Sequence, residues 1–253
     1  MKKRELAKKI GLPFLSLLLF VAVWQIAASA LGVELILPTP ASTFREFFAA
    51  FASGRFWASL GMSVLRTLVG FALSFVFALA LAVLGKWSEN FARFLSPLVT
   101  ILRAVPTIAV IFIFMVFLSE GRLPVLISFL IVFPMLYEGF LAALRGVSGE
   151  LADMSRLYRV PKSVQLRKFY IPAILPALFS VSRSAVGLNL KVVVAAEAIA
   201  YSELSLGRLL QNAGISPLDG ARLLAYTLMA VLVSFLLEGI VLLLQKRFVR
   251  WAP

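Results

Sequence analysis

The sequence predicts an all-α membrane protein with six transmembrane helices and cytoplasmic N- and C-termini. Three observations carry that reading. Hydrophobic residues make up 61% of the 253-residue chain and charged residues only 15%, against roughly 45–50% and about 25% in soluble domains. Mean hydropathy is +0.98. Six stretches are long enough to cross a bilayer, which takes about 20 predominantly apolar residues.

In chain order the stretches span 10–31, 60–84, 95–118, 123–144, 181–200 and 223–244. The second contains Arg66, the third Arg103 and Pro106, and the fourth Pro134 and Glu138. The fifth is the most polar, with Arg183, Asn189, Lys191 and Glu197. Orientation follows from Lys and Arg in short loops. With the N-terminus in the cytoplasm, 17 of the 25 basic residues lie inside and 5 outside; Arg66, Arg103 and Lys191 lie within spans. The net charge of +13 is thereby explained with no nucleic-acid partner. For the first stretch the rival is a cleaved signal peptide ending at Ala28-Ser29-Ala30. Its apolar run exceeds the usual h-region of about 7–15 residues, which favours a retained anchor. Two parts are predicted. Residues 1–58 form a basic tail, the first span and an external amphipathic helix. Residues 59–253 form a five-helix core with a cytoplasmic loop over 146–180.

Cysteine and histidine are both absent. That excludes disulfides, Fe–S clusters, thiol catalysis, Ser-His-Asp triads, imidazole metal sites and haem ligation. No G-x-x-x-x-G-K-[ST] phosphate loop occurs, so the chain is not expected to hydrolyse ATP. No catalytic constellation, metal or cofactor is expected.

Outside the membrane, Leu37-Pro38-Thr39-Pro40 breaks the chain. Thr43 and Glu46 then match a capping box. Phe44, Phe47, Phe48 and Phe51 follow at i, i+3, i+4 and i+7, which is one face of a packing helix. Inside, good helix formers over 150–159 predict a short helix that Pro161 ends. Ser163 caps a second short helix that stops before Pro172. Leu151, Met154, Leu157 and Tyr158 lie near one face, rimmed by Arg156, Arg159 and Lys162. Two readings remain open: a docking surface for another protein, or a solvated loop that is basic because it is cytoplasmic.

These residues in their context resemble the permease subunits of type I ABC importers, within the nitrate, sulfonate and taurine branch. The family signature is E-A-A, three residues, G, nine residues, then I-x-L-P. Anchored on Pro172, it places Asp153-Met154-Ser155 on E-A-A, Arg159 on G, Phe169 on I and Ile171 on L. Leu37-Pro38-Thr39-Pro40 resembles the branch's L-P-S-P, and Ser63-Val64-Leu65-Arg66 through Gly70-Phe71 its S-L-x-R-x-x-x-G-F. Leu102-Arg103-Ala104-Val105-Pro106 resembles L-R-x-x-P, and Ala196-Glu197 with Leu206-Gly207 resembles A-E and G-L-G. Gln245-Lys246-Arg247 and Trp251 resemble the family's basic tail.

The resemblance implies a type I ABC importer permease fold in a bacterial or archaeal inner membrane, moving a small anion such as sulfonate, taurine or nitrate by alternating access. It implies a second permease copy or a homologous permease, a dimer of ABC ATPase subunits and an extracytoplasmic substrate-binding protein. The ATPases would grip a coupling helix made of Glu150, Asp153, Met154, Ser155, Arg156, Leu157, Tyr158, Arg159, Val160, Pro161 and Lys162. The rival is a secondary transporter driven by an ion gradient; such folds often carry inverted repeats, and none is visible here.

Arg66, Arg103, Glu138, Lys191 and Glu197 would each cost about 2.5–3.5 kcal/mol at a span centre. Together with Asn189 and Pro106 they are candidates for the translocation path or for internal pairing. Lys191 and Glu197 are six residues apart, about 120° around a helix, so they do not pair along their own helix. Pro106 and Pro134 are expected to kink their spans.

Overall fold

The computed structural model describes residues 2–147, 154, 157–215 and 219–249, with side chains from Gly11 onward. The described residues are helix and connection, with no strand. The chain divides into two compact units. One holds Met1–Trp57 with Leu209–Met229, the other Ala58–Arg208 with Ala230–Pro253.

In the first unit, α1 (Lys2–Leu31) is followed by α2 (Pro40–Ala50). The cap of α2 lies one turn earlier than the capping box predicts. Thr39 Oγ1 accepts from Ser42 N at 3.2 Å, and Pro40 takes the first helical position, where its missing N–H costs nothing. Thr43 is buried inside the helix instead. Phe47 forms the inward centre of the aromatic face, its ring 5.4 Å from those of both Phe48 and Phe51. Trp24 Nε1 donates to Pro38 O at 3.0 Å, fastening the turn after α1 back onto that helix.

The later helices are α3 (Gly54–Trp87), α4 (Glu89–Ala104), α5 (Thr107–Met115), α6 (Leu123–Arg145), α7 (Lys162–Gln165), α8 (Ile171–Ile199), α9 (Leu206–Ile215) and α10 (Gly220–Phe248). Among the described residues, five helical segments are long and apolar enough to cross a membrane: Gly11–Leu31, Gly54–Trp87, Leu123–Arg145, Lys162–Ile199 and Gly220–Phe248.

The predicted third span, 95–118, is not one helix. It is α4 and α5, bent by 91°, and it makes a sixth crossing only if the broken pair counts as one. Pro106 is the cause. It excludes the helical region for Val105, which is extended at φ −69° and ψ 129°, and it offers no N–H to continue the ladder. Pro134, in contrast, sits inside an unbroken α6.

The loop predicted over 146–180 is also shorter than expected. Helix resumes at Lys162, and a five-residue π turn, Leu166–Tyr170, carries α7 into α8. Pro172 therefore opens α8 rather than ending a short helix. It stands in the first turn, where proline is tolerated.

A stripe of small residues explains how α3 enters the core of the second unit. Ser63, Thr67, Gly70, Ser74, Ala78 and Ala82 recur on one helical face and are all buried. Small residues let helix backbones approach closely where lipid supplies no hydrophobic drive between helices. At Gly70 an added Cβ would stand 2.6 Å from Ser128 Cβ on α6. Helix α6 packs along α8 with Phe140, Leu136, Val132 and Ala185 inside. The contact is tightest at Gly139, where a Cβ would meet Val181 Cγ1 at 2.6 Å. Valine is stiff about χ1 and yields only by shifting as a whole. Gly139→Ala is expected to lower stability by about 1–3 kcal/mol through overpacking, and adding Val181→Ala should restore most of it. Thermal unfolding of the purified chain in detergent checks both.

Candidate functional site

Of three clusters, the first two gather charged residues that the sequence places inside spans. The first is fully buried. Glu197, near the end of α8, has no exposure and pairs with Arg66 of α3 at 2.7 Å. Its other oxygen accepts from Ser63 Oγ at 2.7 Å and from Gly207 N at 3.3 Å. Ser63 Oγ in turn accepts from Leu206 N at 2.8 Å. Arg66 also reaches Glu203 O at 3.4 Å. One carboxylate thus fastens α3, the end of α8 and the start of α9. Tyr201 and Leu204, in the tight connection between α8 and α9, have positive φ of 57° and 44°. Such left-handed backbone is costly for residues with side chains, and the surrounding hydrogen bonds hold it. Ser63 and the backbone amides of Leu206 and Gly207 were not singled out as site residues from sequence. Their signal lay in the motifs around Arg66 and Leu206-Gly207.

Asn189 is also buried and donates to Thr67 O at 2.8 Å. It ties α8 to α3 about two turns before Glu197. Its position is that of a packing tie, not of a group facing open space.

The second cluster lines a cavity of about 550 Å³. Arg103, in the last turn of α4, pairs with Glu138 of α6. The pair stays half open, with side-chain exposures of 57% and 43%. Pro106 makes the elbow beside it. Val105, Thr107, Met135, Ser180, Ser184 and Leu188 contribute to the walls. Ser180, Ser184, Leu188 and Lys191 all lie on one exposed face of α8. Lys191 has no ion-pair partner among the described residues. The Lys191 and Glu138 pairing that charge arithmetic permits is absent, because Arg103 takes Glu138.

The third cluster is the segment before α7. Glu150, Asp153, Ser155 and Arg156 lie outside the described residues. Met154 is helical and Tyr158 N bonds back to Met154 O at 3.1 Å. Leu157 and Tyr158 are 79% and 72% exposed. The turn closes at Arg159 with φ of +49°, the left-handed conformation that ends helices and suits glycine. Val160 O accepts from Gln165 Nε2 at 2.7 Å, and Pro161 caps α7 with Lys162 as its first residue.

Similarity to known proteins now gives these clusters their setting. Residues 70–250 match the binding-protein-dependent transport system inner membrane component. A protein of Bacillus subtilis assigned to aliphatic sulfonates transport, SsuC, is 27% identical over 91% of this chain and 84% of its own. The bicarbonate transport system permease protein CmpB of Synechococcus elongatus is 25% identical over 99% and 90%. The taurine transport system permease protein TauC of Escherichia coli is 23% identical over 97% and 91%. Among solved structures, an inward-facing methionine ABC transporter, MetNI, superposes with a TM-score of 0.64 at 18% identity, covering 77% of this chain and 95% of that one. The chain belongs to the family of binding-protein-dependent transport inner membrane components. It is a multi-pass permease of an ABC importer of type I fold, and ATP hydrolysis resides in a separate subunit.

Removing one partner of a buried ion pair costs about 3–5 kcal/mol, whereas replacing both with apolar groups is far milder. Arg66→Met should therefore lower the unfolding midpoint sharply, and Arg66→Met with Glu197→Leu should recover much of the loss. Ser63→Ala should cost about 1–3 kcal/mol, because the carboxylate and the Leu206 amide each lose a partner.

Proposed function

We propose that this permease moves a small anion, and that its path runs along the exposed face of α8 past Arg103 and Lys191. The observation that carries the reading is Lys191. It is a cation on a span, exposed, with no carboxylate beside it among the described residues. A lone ammonium at that depth needs water or an anion to solvate it. Arg103, on the cavity that the same face of α8 lines, supplies a bidentate donor suited to oxoanions. The names of SsuC, CmpB and TauC, which refer to aliphatic sulfonates, bicarbonate and taurine, support a small oxoanion or a zwitterion carrying one.

In this reading both termini are cytoplasmic, and residues 59–253 form the translocating core. A second permease copy or a homologue closes the path from the other side. An extracytoplasmic binding protein delivers the solute. ATPase subunits dock on residues 150–162, where Leu157 and Tyr158 present apolar surface. ATP-driven closure of those subunits is passed through α7, the π turn and α8 to the cavity. The turn at Arg159 is left-handed, a conformation that glycine adopts readily, at the position where the family signature has glycine.

Two experiments test this. In proteoliposomes carrying the assembled importer, Lys191→Gln should cut uptake of the cognate anion at least about tenfold, the loss of one direct charge contact. Undiminished uptake would remove the anion reading. Leu157→Asp should abolish co-purification of the ATPase subunit while the permease itself remains folded. Retention of the subunit with normal transport would overturn the docking assignment. Transport by the permease alone without ATP would favour a gradient-driven carrier.

A further inference from the structure

The Arg103 and Glu138 pair sits where two cavities meet. Glu138 lines the 550 Å³ cavity and also a second one of about 240 Å³, between α4 and α6. The second cavity also has Arg93, Arg145, Tyr137 and Ser96 on its walls. Its other carboxylate, Glu89, is held by Arg93 at 3.1 Å. Arg145 has no ion-pair partner among the described residues. Glu138 is thus the one acidic group shared by both spaces, with Arg103 on one side and Arg145 on the other.

Pairing with Glu138 does two things for Arg103. It neutralises a guanidinium at span depth, where an isolated charge is costly. It also occupies the donors that an oxoanion would use, since a carboxylate and an oxoanion present the same two-oxygen face to a guanidinium. The pair is not locked in the core as Arg66 and Glu197 are. It is half exposed, on a flexible-length side chain from each helix, at the 91° elbow between α4 and α5.

We propose that Glu138 is a tethered substitute for the transported anion. In the empty permease its carboxylate holds Arg103. An arriving oxoanion displaces it, and the freed carboxylate turns toward the smaller cavity and the field of Arg145. When the anion leaves, Glu138 returns to Arg103. The proposal rests on the anion reading given above and adds a competitor to it: Arg103 binds, Glu138 opposes, and the two have effects of opposite sign.

That sign difference is what a purely structural ion pair lacks. The full-length permease in lipid nanodiscs would be titrated calorimetrically with nitrate and with methanesulfonate at constant ionic strength. Glu138→Gln should tighten binding of the probe about fivefold over the wild type, the order expected on removing a partly exposed competing charge. Arg103→Gln should abolish binding. Glu138→Asp keeps the charge but shortens the reach, and should tighten binding by a smaller factor; it serves where the glutamine variant does not fold. In the assembled importer, Glu138→Gln should also slow anion release and lower the maximal uptake rate. Equal or weaker binding by both Glu138 variants, with wild-type binding intact, would overturn the displacement proposal alone. Absence of binding in the wild type and in every variant would overturn the anion reading beneath it.

Discussion

A charge at the centre of a membrane helix costs about 2.5–3.5 kcal/mol, and five of the charges on the spans show how this permease meets that cost. Each has a different answer to the same constraint. Arg66 and Glu197 meet in the core, with every carboxylate oxygen supplied with donors. Arg103 and Glu138 meet at a cavity wall and remain partly open. Lys191 has no carboxylate among the described residues and faces outward. Burial therefore sorts these residues by role. The closed pair is scaffold; in the proposed reading the half-open pair exchanges partners and the unpaired cation borders a polar path.

The scaffold pair depends on close packing that sequence composition makes possible. A stripe of small residues along α3 brings its backbone against α6 and α8, so that Arg66 reaches Glu197 and Thr67 O reaches Asn189. Gly139 does the same between α6 and α8. Interiors this dense transmit displacement rather than absorb it. In the proposed reading a push on α7 would travel through the π turn into α8, whose exposed face lines the larger cavity. The break at Pro106 gives α4 and α5 different directions, and so places Arg103 at an elbow rather than along a straight span.

Much of this was legible in the sequence because membrane physics is written in composition. The spans and most of the charges needing compensation follow from runs of apolar residues and isolated Lys, Arg and Glu. The pairing itself was not legible. Charge arithmetic allowed Arg66 or Lys191 to pair with Glu138 or Glu197, and only the backbone approach of α3 to α8 selects Arg66 for Glu197. Prolines differ among themselves. Pro106 breaks its helix and Pro172 opens one, while Pro134 sits inside an unbroken helix. The same residue does different things depending on whether its N–H would have been needed. Thr39 was passed over as a cap because Thr43 and Glu46 match a familiar spacing, yet Pro40 suits the first helical position better. The left-handed turn at Arg159 was hidden by the residue type, since only the family pattern marks that position as one for glycine.

The central claim is that the exposed face of α8 borders water rather than lipid. The chain contains no cysteine, so single cysteines can be introduced without a background. Ser180→Cys, Ser184→Cys and Lys191→Cys would be compared with Phe235→Cys, an exposed residue of the long apolar helix α10, using a membrane-impermeant thiol reagent on the assembled importer in proteoliposomes. The account predicts labelling at 180, 184 and 191 that varies with the nucleotide state, and none at 235. Uniform protection of all three α8 positions in every nucleotide state would contradict it.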